Sequence, residues 1–161
     1  MSMQKMTEQR SILVVEDEAD IRQVLSFFLK QAGFNVITVS GGQEAIGHLS
    51  THRADLLILD ILMRPVSGWQ VLEWVRTQYV DTSIPVIILT ALAQFSHQVE
   101  GLERGATEYI TKPMQPRRVV ERVQDLLTQT AEQRNLNRAS GISERRQILE
   151  HFAAMQREEL L

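Results

Sequence analysis

The sequence predicts an α/β protein with a parallel sheet, and three observations support this prediction. Short apolar or β-branched segments alternate with amphipathic segments from residue 11 to about residue 128. Four of the five short segments are apolar or β-branched almost throughout, as is typical of strands buried on both faces of a parallel sheet. The 161 residues leave room for one ordinary domain and a short appendage.

The predicted strands and helices follow one another in a regular order. The strands are ILVV (12–15), VITV (36–39), LLIL (56–59), VIIL (86–89) and EYIT (108–111). The first intervening segment predicts a helix, because its apolar residues recur at helical spacing: Ile21, Val24, Leu25, Phe28 and Leu29. Gly33 suits the left-handed position that follows a helix end. The third segment repeats the helical pattern at Val71, Leu72 and Val75.

Composition excludes several classes of protein. The sequence contains no cysteine, so a disulfide scaffold, a Cys-based metal site and a Cys nucleophile are excluded. The net charge is −3 and the sequence pI is about 5.8, which argues against broad electrostatic capture of nucleic acid. The segment 1–10 is polar, and the longest apolar run is too short to span a bilayer. A cytoplasmic protein is therefore expected.

Charged and hydroxyl side chains follow the predicted strands. Glu16 and Asp17 come after the first strand, Asp60 after the third, Thr90 ends the fourth, and Lys112 follows the fifth. Because the carboxyl ends of parallel strands meet at one edge of the sheet, we expect these side chains to lie close together. Three neighbouring carboxylates repel one another and favour a bound cation. Mg²⁺ suits them best, because it takes few protein oxygens and keeps water or phosphate as further ligands.

The remaining groups at this edge suit phosphoryl chemistry. The Thr90 hydroxyl and the Lys112 ammonium are natural partners for phosphoryl oxygens. A carboxylate such as Asp60 can itself act as a nucleophile and form an aspartyl phosphate. This role would explain why the apolar third strand is followed by Asp60, because a rigid buried strand holds the carboxylate at the site.

Residues 11–128 resemble the receiver domain of bacterial two-component response regulators. The resemblance rests on the residue types at the strand ends and on their separations, 30 positions from Asp60 to Thr90 and 22 from Thr90 to Lys112. Further matches are Ala91, Tyr109, Pro113, Gly68 and the pair Gly105–Ala106. The resemblance implies a flavodoxin-like, doubly wound five-stranded parallel sheet in the order 2-1-3-4-5, with helices on both faces and a C-terminal helical extension.

The resemblance also implies a role for each acidic residue. Asp60 would accept a phosphoryl group from a histidine of a sensor histidine kinase or a phosphotransfer protein. Mg²⁺ would be held by Glu16, Asp17, Asp60 and the backbone carbonyl of Leu62. The chain would then be a phosphoacceptor signalling protein and not an enzyme, catalysing at most its own phosphorylation and dephosphorylation.

The resemblance implies roles for three further residues, which come later in the chain than Asp60. Thr90 and Lys112 would contact the phosphoryl oxygens, and Thr90 and Tyr109 would form a switch pair that moves on phosphorylation. The Lys112–Pro113 bond matches one that is cis in the family.

The sequence departs from the family pattern near the acceptor. The family usually has proline four positions after the acceptor, where this chain has Arg64, with Pro65 next. The loop is therefore expected to differ in shape, and Arg64 is either a solvated side chain or a group that approaches the phosphoryl group or a partner. In the family, the positions two after the acceptor and two after the threonine tune loss of the phosphoryl group to water, and this chain has Leu62 and Leu92 there. Neither can orient an attacking water, so we predict a long-lived phosphoryl state.

The C-terminal extension, residues 129–161, contains no strand pattern. Residues 131–138 are compatible with a continuation of the fifth helix, Ser140–Gly141 predicts a break, and Ser143 suits the N-cap of a last helix. An apolar stripe on that last helix is expected to pack on its own domain, on a second copy or on a partner. The stripe consists of Ile148, Leu149, Phe152 and Met155.

The expected output is a protein–protein contact. The extension is too short for a helix-turn-helix domain and has no basic excess, so direct nucleic-acid binding is not expected. A homodimer and a downstream protein are the partners considered besides the kinase. The main alternative is a pseudo-receiver that acts as an interaction module without phosphorylation. An aspartate-dependent phosphohydrolase would need a second aspartate where Leu62 stands, and a flavodoxin would need a phosphate-cradling loop in place of the acidic segment EDEAD.

Overall fold

The computed structural model describes residues 8–160, which form a parallel five-stranded sheet in the order β2-β1-β3-β4-β5. The strands are β1 (Ser11–Val15), β2 (Asn35–Val39), β3 (Leu56–Leu59), β4 (Val86–Thr90) and β5 (Glu108–Thr111). The helices are α1 (Ala19–Gln31), α2 (Gly42–Leu49), α3 (Gly68–Gln78), α4 (Phe95–Glu103), α5 (Pro116–Thr128) and α6 (Ala131–Glu158). The predicted fold class is confirmed. Of the polar N-terminal segment 1–10, residues 1–7 lie outside the described residues. Residues 8–10 are exposed.

The central strands β1, β3 and β4 are buried on both faces, which explains their continuous apolar sequences. Alternate strand residues point to opposite faces, so Leu57 and Leu59 pack with α2, α3 and α4. Leu56 and Ile58 of the same strand pack on the other face with α1 and α5. All four residues of β3 are buried. The central strand that precedes Asp60 is therefore held from both sides.

Gly68 allows α3 to begin directly against the backbone that carries Asp60. The Gly68 amide donates to the Ile61 carbonyl at 3.0 Å. A Cβ at this position would overlap the carbonyl oxygen of Asp60 and would lie 2.6 Å from the Cα of Ile61. Ser67 caps the helix, with a reciprocal capping box to Gln70. A residue without a side chain is thus required where α3 meets the end of β3.

Gly101 has a similar packing role in α4. A Cβ on Gly101 would lie 2.8 Å from a ring carbon of Tyr109 and 2.9 Å from Cδ1 of Ile88. The close approach of α4 to β5 therefore depends on this glycine. The packing that it allows offsets the unfavourable helix propensity of glycine.

The structure of the C-terminal extension differs from two of the predictions. Residues 131–138 do not prolong α5, because Gln129 and Thr130 are extended and Thr130 starts a new helix with a capping box to Gln133. The predicted break at Ser140–Gly141, with Ser143 as an N-cap, is wrong, because α6 continues from Ala131 to Glu158. Gly141 lies where α6 passes Leu102 of α4. The glycine reflects a helix–helix approach and not a chain break.

Helix α6 packs on α4 of its own domain. Ile142 packs against the core cluster that includes Leu102. Ile148 and Leu149 of the predicted apolar stripe are half-buried, whereas Phe152 and Met155 are 54% and 47% exposed. The stripe is therefore partly buried at its start and exposed towards the end of the helix.

Gly68→Ala tests the close approach beneath Asp60. We expect this substitution to lower the free energy of unfolding by about 1–3 kcal/mol, because the added methyl group must displace backbone atoms. The measurement is urea unfolding followed by circular dichroism. Gly47→Ala is the matched control, since within the described structure a Cβ at Gly47 of α2 meets nothing within 4 Å. That variant should be unchanged or more stable by up to about 1 kcal/mol, and equal stability of the two variants would contradict the packing role of Gly68.

Candidate functional site

Backbone hydrogen bonds extend past the strand ends and position the candidate site residues. The Asp60 amide donates to the Val15 carbonyl at 3.0 Å, and the Glu16 amide donates to the carbonyl at the end of β2 at 3.1 Å. On the other side of the sheet, the Lys112 amide donates to the Thr90 carbonyl at 2.8 Å. Each of these residues is therefore the first residue beyond a rigid strand, and its side chain projects from a fixed point on one sheet edge.

Four carboxylates meet at this edge. Glu16, Asp17, Glu18 and Asp60 each offer an oxygen, and these oxygens lie within 4.8 Å of one another. Glu16 and Asp60 are buried, whereas Asp17 and Glu18 are exposed. Glu18 was not among the predicted site residues, although the run of three acids after β1 was a signal for it. A set of hard oxygen donors, partly buried and partly open to solvent, fits a divalent cation.

Lys112 places one positive charge among these carboxylates. Its Nζ lies 2.9 Å from Oε2 of Glu16, 3.2 Å from Oδ2 of Asp60 and 3.3 Å from Oε1 of Glu18. Burial by itself would lower the pKa of Lys112, but the hydrogen bond to Glu16 and the charge of Asp60 outweigh it and the pKa is raised. Lys112 therefore stays protonated and can neutralise anionic oxygens at Asp60.

The surroundings of Glu16 raise the pKa of its carboxyl group. Burial raises the pKa of Glu16 to about 7, and the negative charge of Asp60 adds to this effect. The hydrogen bond from Lys112 lowers the pKa but does not cancel the burial. Four carboxylates face one lysine at this edge, and this excess of acidic groups favours a cation at the site.

Thr90 presents a buried hydroxyl at the same edge. Thr90 is fully buried, and its Oγ1 has no hydrogen-bond partner among residues 8–160. Buried hydroxyl groups are normally paired, so an unpaired one at a strand end indicates a group that engages a ligand. A phosphoryl oxygen would supply the acceptor that Thr90 lacks.

Tyr109 lies beneath the loop that follows Thr90. Its ring is buried, and its hydroxyl donates to the Leu92 carbonyl at 2.7 Å. Burial raises the pKa of Tyr109 to about 12, with smaller contributions from Glu100 and Asp60. Tyr109 is therefore a neutral hydrogen-bond donor that holds this loop, and the described structure shows no hydrogen bond between it and Thr90.

The residues that depart from the family pattern occupy different environments. Leu62 donates its amide to Oδ1 of Asp60 at 3.1 Å, and its side chain is 52% exposed. Leu92 is half-buried and packs against the core instead. Arg64 is exposed. The Lys112–Pro113 bond is cis, as the resemblance implied, and the Arg64–Pro65 bond is also cis.

Comparison with known proteins identifies this arrangement. A family model described as the response regulator receiver domain matches residues 12–124. The chain belongs to this family. A probable transcriptional regulator, ycf27, of Cyanidium caldarium is 40% identical over 119 residues, which cover 74% of the chain and 47% of that protein. The phosphate regulon transcriptional regulatory protein PhoB of Escherichia coli is 38% identical over 118 residues, covering 73% and 52% respectively.

Solved structures agree with the family assignment. The receiver domain of Francisella response regulator 1452 superposes with a TM-score of 0.71 at 29% identity, covering 74% of this chain and 98% of that domain. The chemotaxis response regulator CheY4 of Vibrio cholerae gives 0.69 at 30% identity, covering 73% and 98%. This receiver thus spans about half the length of the curated relatives it matches. Within residues 8–160, no helix combines the length and apolar character needed to cross a membrane.

Proposed function

We propose that this receiver is a phosphorylation-dependent signalling switch that accepts a phosphoryl group on Asp60 from a histidine of a sensor kinase or phosphotransfer protein. The observation that carries the proposal is the placement of Asp60. Its buried carboxylate lies 3.2 Å from Lys112 Nζ, at a sheet edge where four carboxylates converge. Membership of the response regulator family supports the same function.

The proposed reaction is an in-line transfer. An oxygen of Asp60 forms a bond to phosphorus while the phosphorus–nitrogen bond of the phosphohistidine breaks, and the imidazole nitrogen keeps the electron pair. Lys112 neutralises the oxygens of the transferred group, and the unpaired Thr90 hydroxyl donates to one of them. Family membership makes the protein a signalling component, and we propose that its catalysis is confined to its own phosphorylation and dephosphorylation.

We propose Mg²⁺ as the cofactor, held by Glu16, Asp17, Asp60 and the backbone carbonyl of Leu62. When bound, this ion would neutralise charge on the phosphoryl oxygens and on the carboxylates. The exposed Glu18 carboxylate lies in the same cluster and adds negative potential at the entrance. The protein's contribution is a donor set preformed at rigid strand ends.

The switch is proposed to involve Thr90 and Tyr109. Pairing of the Thr90 hydroxyl with a phosphoryl oxygen would draw the end of β4 towards Asp60. The loop that follows is tied to Tyr109 through the Leu92 carbonyl, so a shift of Thr90 changes the surroundings of that ring. We propose that the output is a protein–protein contact and not direct nucleic-acid binding, since residues 129–161 carry five basic and five acidic residues and so have no basic excess.

Phosphorylation by a small-molecule donor is the first test. Incubation with acetyl phosphate and Mg²⁺ should add a single phosphoryl group to the wild type and none to Asp60→Asn, as measured by intact mass. The asparagine keeps the shape of the side chain but is not a carboxylate nucleophile. If the wild type is folded and gains no adduct, the pseudo-receiver alternative replaces the proposal.

Metal binding is tested by thermal unfolding with and without Mg²⁺. At about ten times the dissociation constant, Mg²⁺ should raise the melting temperature of the wild type by about 3–6 °C. Asp17→Asn should lose most of this Mg²⁺-dependent rise, because it removes an anionic ligand. Asp20→Asn is the matched control, since Asp20 lies in the first turn of α1 outside the carboxylate cluster. An equal rise in both variants would contradict the proposed metal site.

The lifetime of the phosphoryl group tests the role of Leu62. Leu62→Asn should speed loss of the phosphoryl group about 10-fold or more, because an amide beside Asp60 can orient an attacking water. Decay is followed by intact mass after removal of the donor. Leu62→Met keeps an apolar side chain and should decay like the wild type. If Leu62→Asn decays no faster, apolar exclusion of water at this position does not set the lifetime.

A further inference from the structure

The loop between Thr90 and α4 is held at two consecutive carbonyl groups. The Tyr109 hydroxyl donates to the Leu92 carbonyl at 2.7 Å. The side-chain amide of Gln98, one turn into α4, donates to the Ala93 carbonyl at 2.9 Å. This four-residue loop, residues 91–94, therefore has two side-chain anchors, and the second has no part in the function proposed above.

Gln98 connects this loop to the C-terminal helix. Gln98 is buried, and its Oε1 accepts a hydrogen bond at 2.9 Å from Nε of Arg145 in α6. Both ends of the amide are thus in use, one towards the active-site loop and the other towards α6. Because an unpaired buried amide is costly, the geometry of each hydrogen bond constrains the other.

A neighbouring contact joins α6 to α4 without reaching the loop. Arg146 forms an ion pair with Glu103 at the end of α4, between partly exposed side chains. Arg145 also donates to the Gly141 carbonyl at 3.2 Å, close to where α6 passes Leu102. Arg145 is therefore held in its position towards Gln98. Arg146 is also an arginine of α6 that contacts α4, but in the described structure it forms no hydrogen bond with Gln98.

We propose that Arg145 and Gln98 are positioning residues that couple the docking of α6 on α4 to the conformation of loop 91–94. The phosphoryl state of Asp60 would act on the same loop through Thr90, and this part of the inference rests on the proposed function. When the loop moves, the Gln98 amide would follow the Ala93 carbonyl, because its buried Nε2 would otherwise lose its hydrogen bond, and this movement would draw Oε1 away from Nε of Arg145. By linkage, docked α6 favours the loop conformation of the unphosphorylated protein.

Amide resonances of the unphosphorylated chain test the connection without relying on phosphoryl transfer. In the ¹⁵N-labelled 161-residue chain, Arg145→Met should displace the resonances of residues 91–94. Gln98→Met, which removes both hydrogen bonds, should displace the same resonances. Arg146→Met is the matched control and should leave them in place. If Arg145→Met moves them no more than Arg146→Met does, α6 and the loop are not connected in this way, whether or not Asp60 is phosphorylated.

Hydrogen exchange of α6 tests the coupling to the phosphoryl state. After incubation with acetyl phosphate and Mg²⁺, with the adduct confirmed by intact mass, exchange in residues 131–158 of the wild type should be several-fold faster than in the unmodified protein. Arg146→Met should keep this ratio, and Arg145→Met should bring it close to one. An unchanged ratio in Arg145→Met, or no difference in phosphorylated wild type, would overturn the coupling. Absence of any adduct would instead count against the proposed phosphorylation, and the resonance experiment would still decide the connection.

Discussion

The candidate site depends on the interaction of the Lys112 ammonium with the carboxylates at the end of the sheet. Glu16 and Asp60 are buried, and two buried anions in contact would be costly without a nearby positive charge. Lys112 reaches both within 3.2 Å because its own amide extends the pairing of β5 with β4. The balance is incomplete, because four carboxylates face this one lysine. The remaining negative charge makes this edge suited to a divalent cation.

The rest of the fold holds these groups at fixed distances. Glu16 and Asp60 each follow a central strand that is buried on both faces, and the Lys112 amide is held by its hydrogen bond to the Thr90 carbonyl, so these backbones have little freedom. Helices approach the site closely where glycine permits, as Gly68 does against the backbone of Asp60 and Gly101 does against Tyr109. A rigid donor set would favour the proposed phosphoryl transfer, because its groups would need little rearrangement during the reaction. In the proposed switch, the movable parts are the loop after Thr90 and the helices attached to it.

The sequence predicts correctly those features of the site that depend on where a residue stands relative to a strand. The strand pattern and the order of parallel strands placed Asp60, Thr90 and Lys112 at one edge. The sequence does not predict features that depend on contacts between residues distant in the chain. Gly141 predicts a break by propensity, yet α6 continues through it because the helix lies against Leu102 there. Packing against α4 outweighs the intrinsic cost of one helical glycine, which is about 1 kcal/mol.

The sequence by itself determined the fold class, which follows from local periodicity, and the residues that meet at the sheet edge, which follow from their place after each strand. The family and the strand order came from the resemblance of these residues and their spacing to receiver domains. The tertiary structure decided that Glu18 joins the carboxylate cluster, since this depends on how the chain turns into α1. It also decided that Arg145 meets Gln98, 47 positions earlier in the chain. That contact requires a particular crossing of α6 over α4 and particular side-chain rotamers, neither of which is encoded in a local pattern.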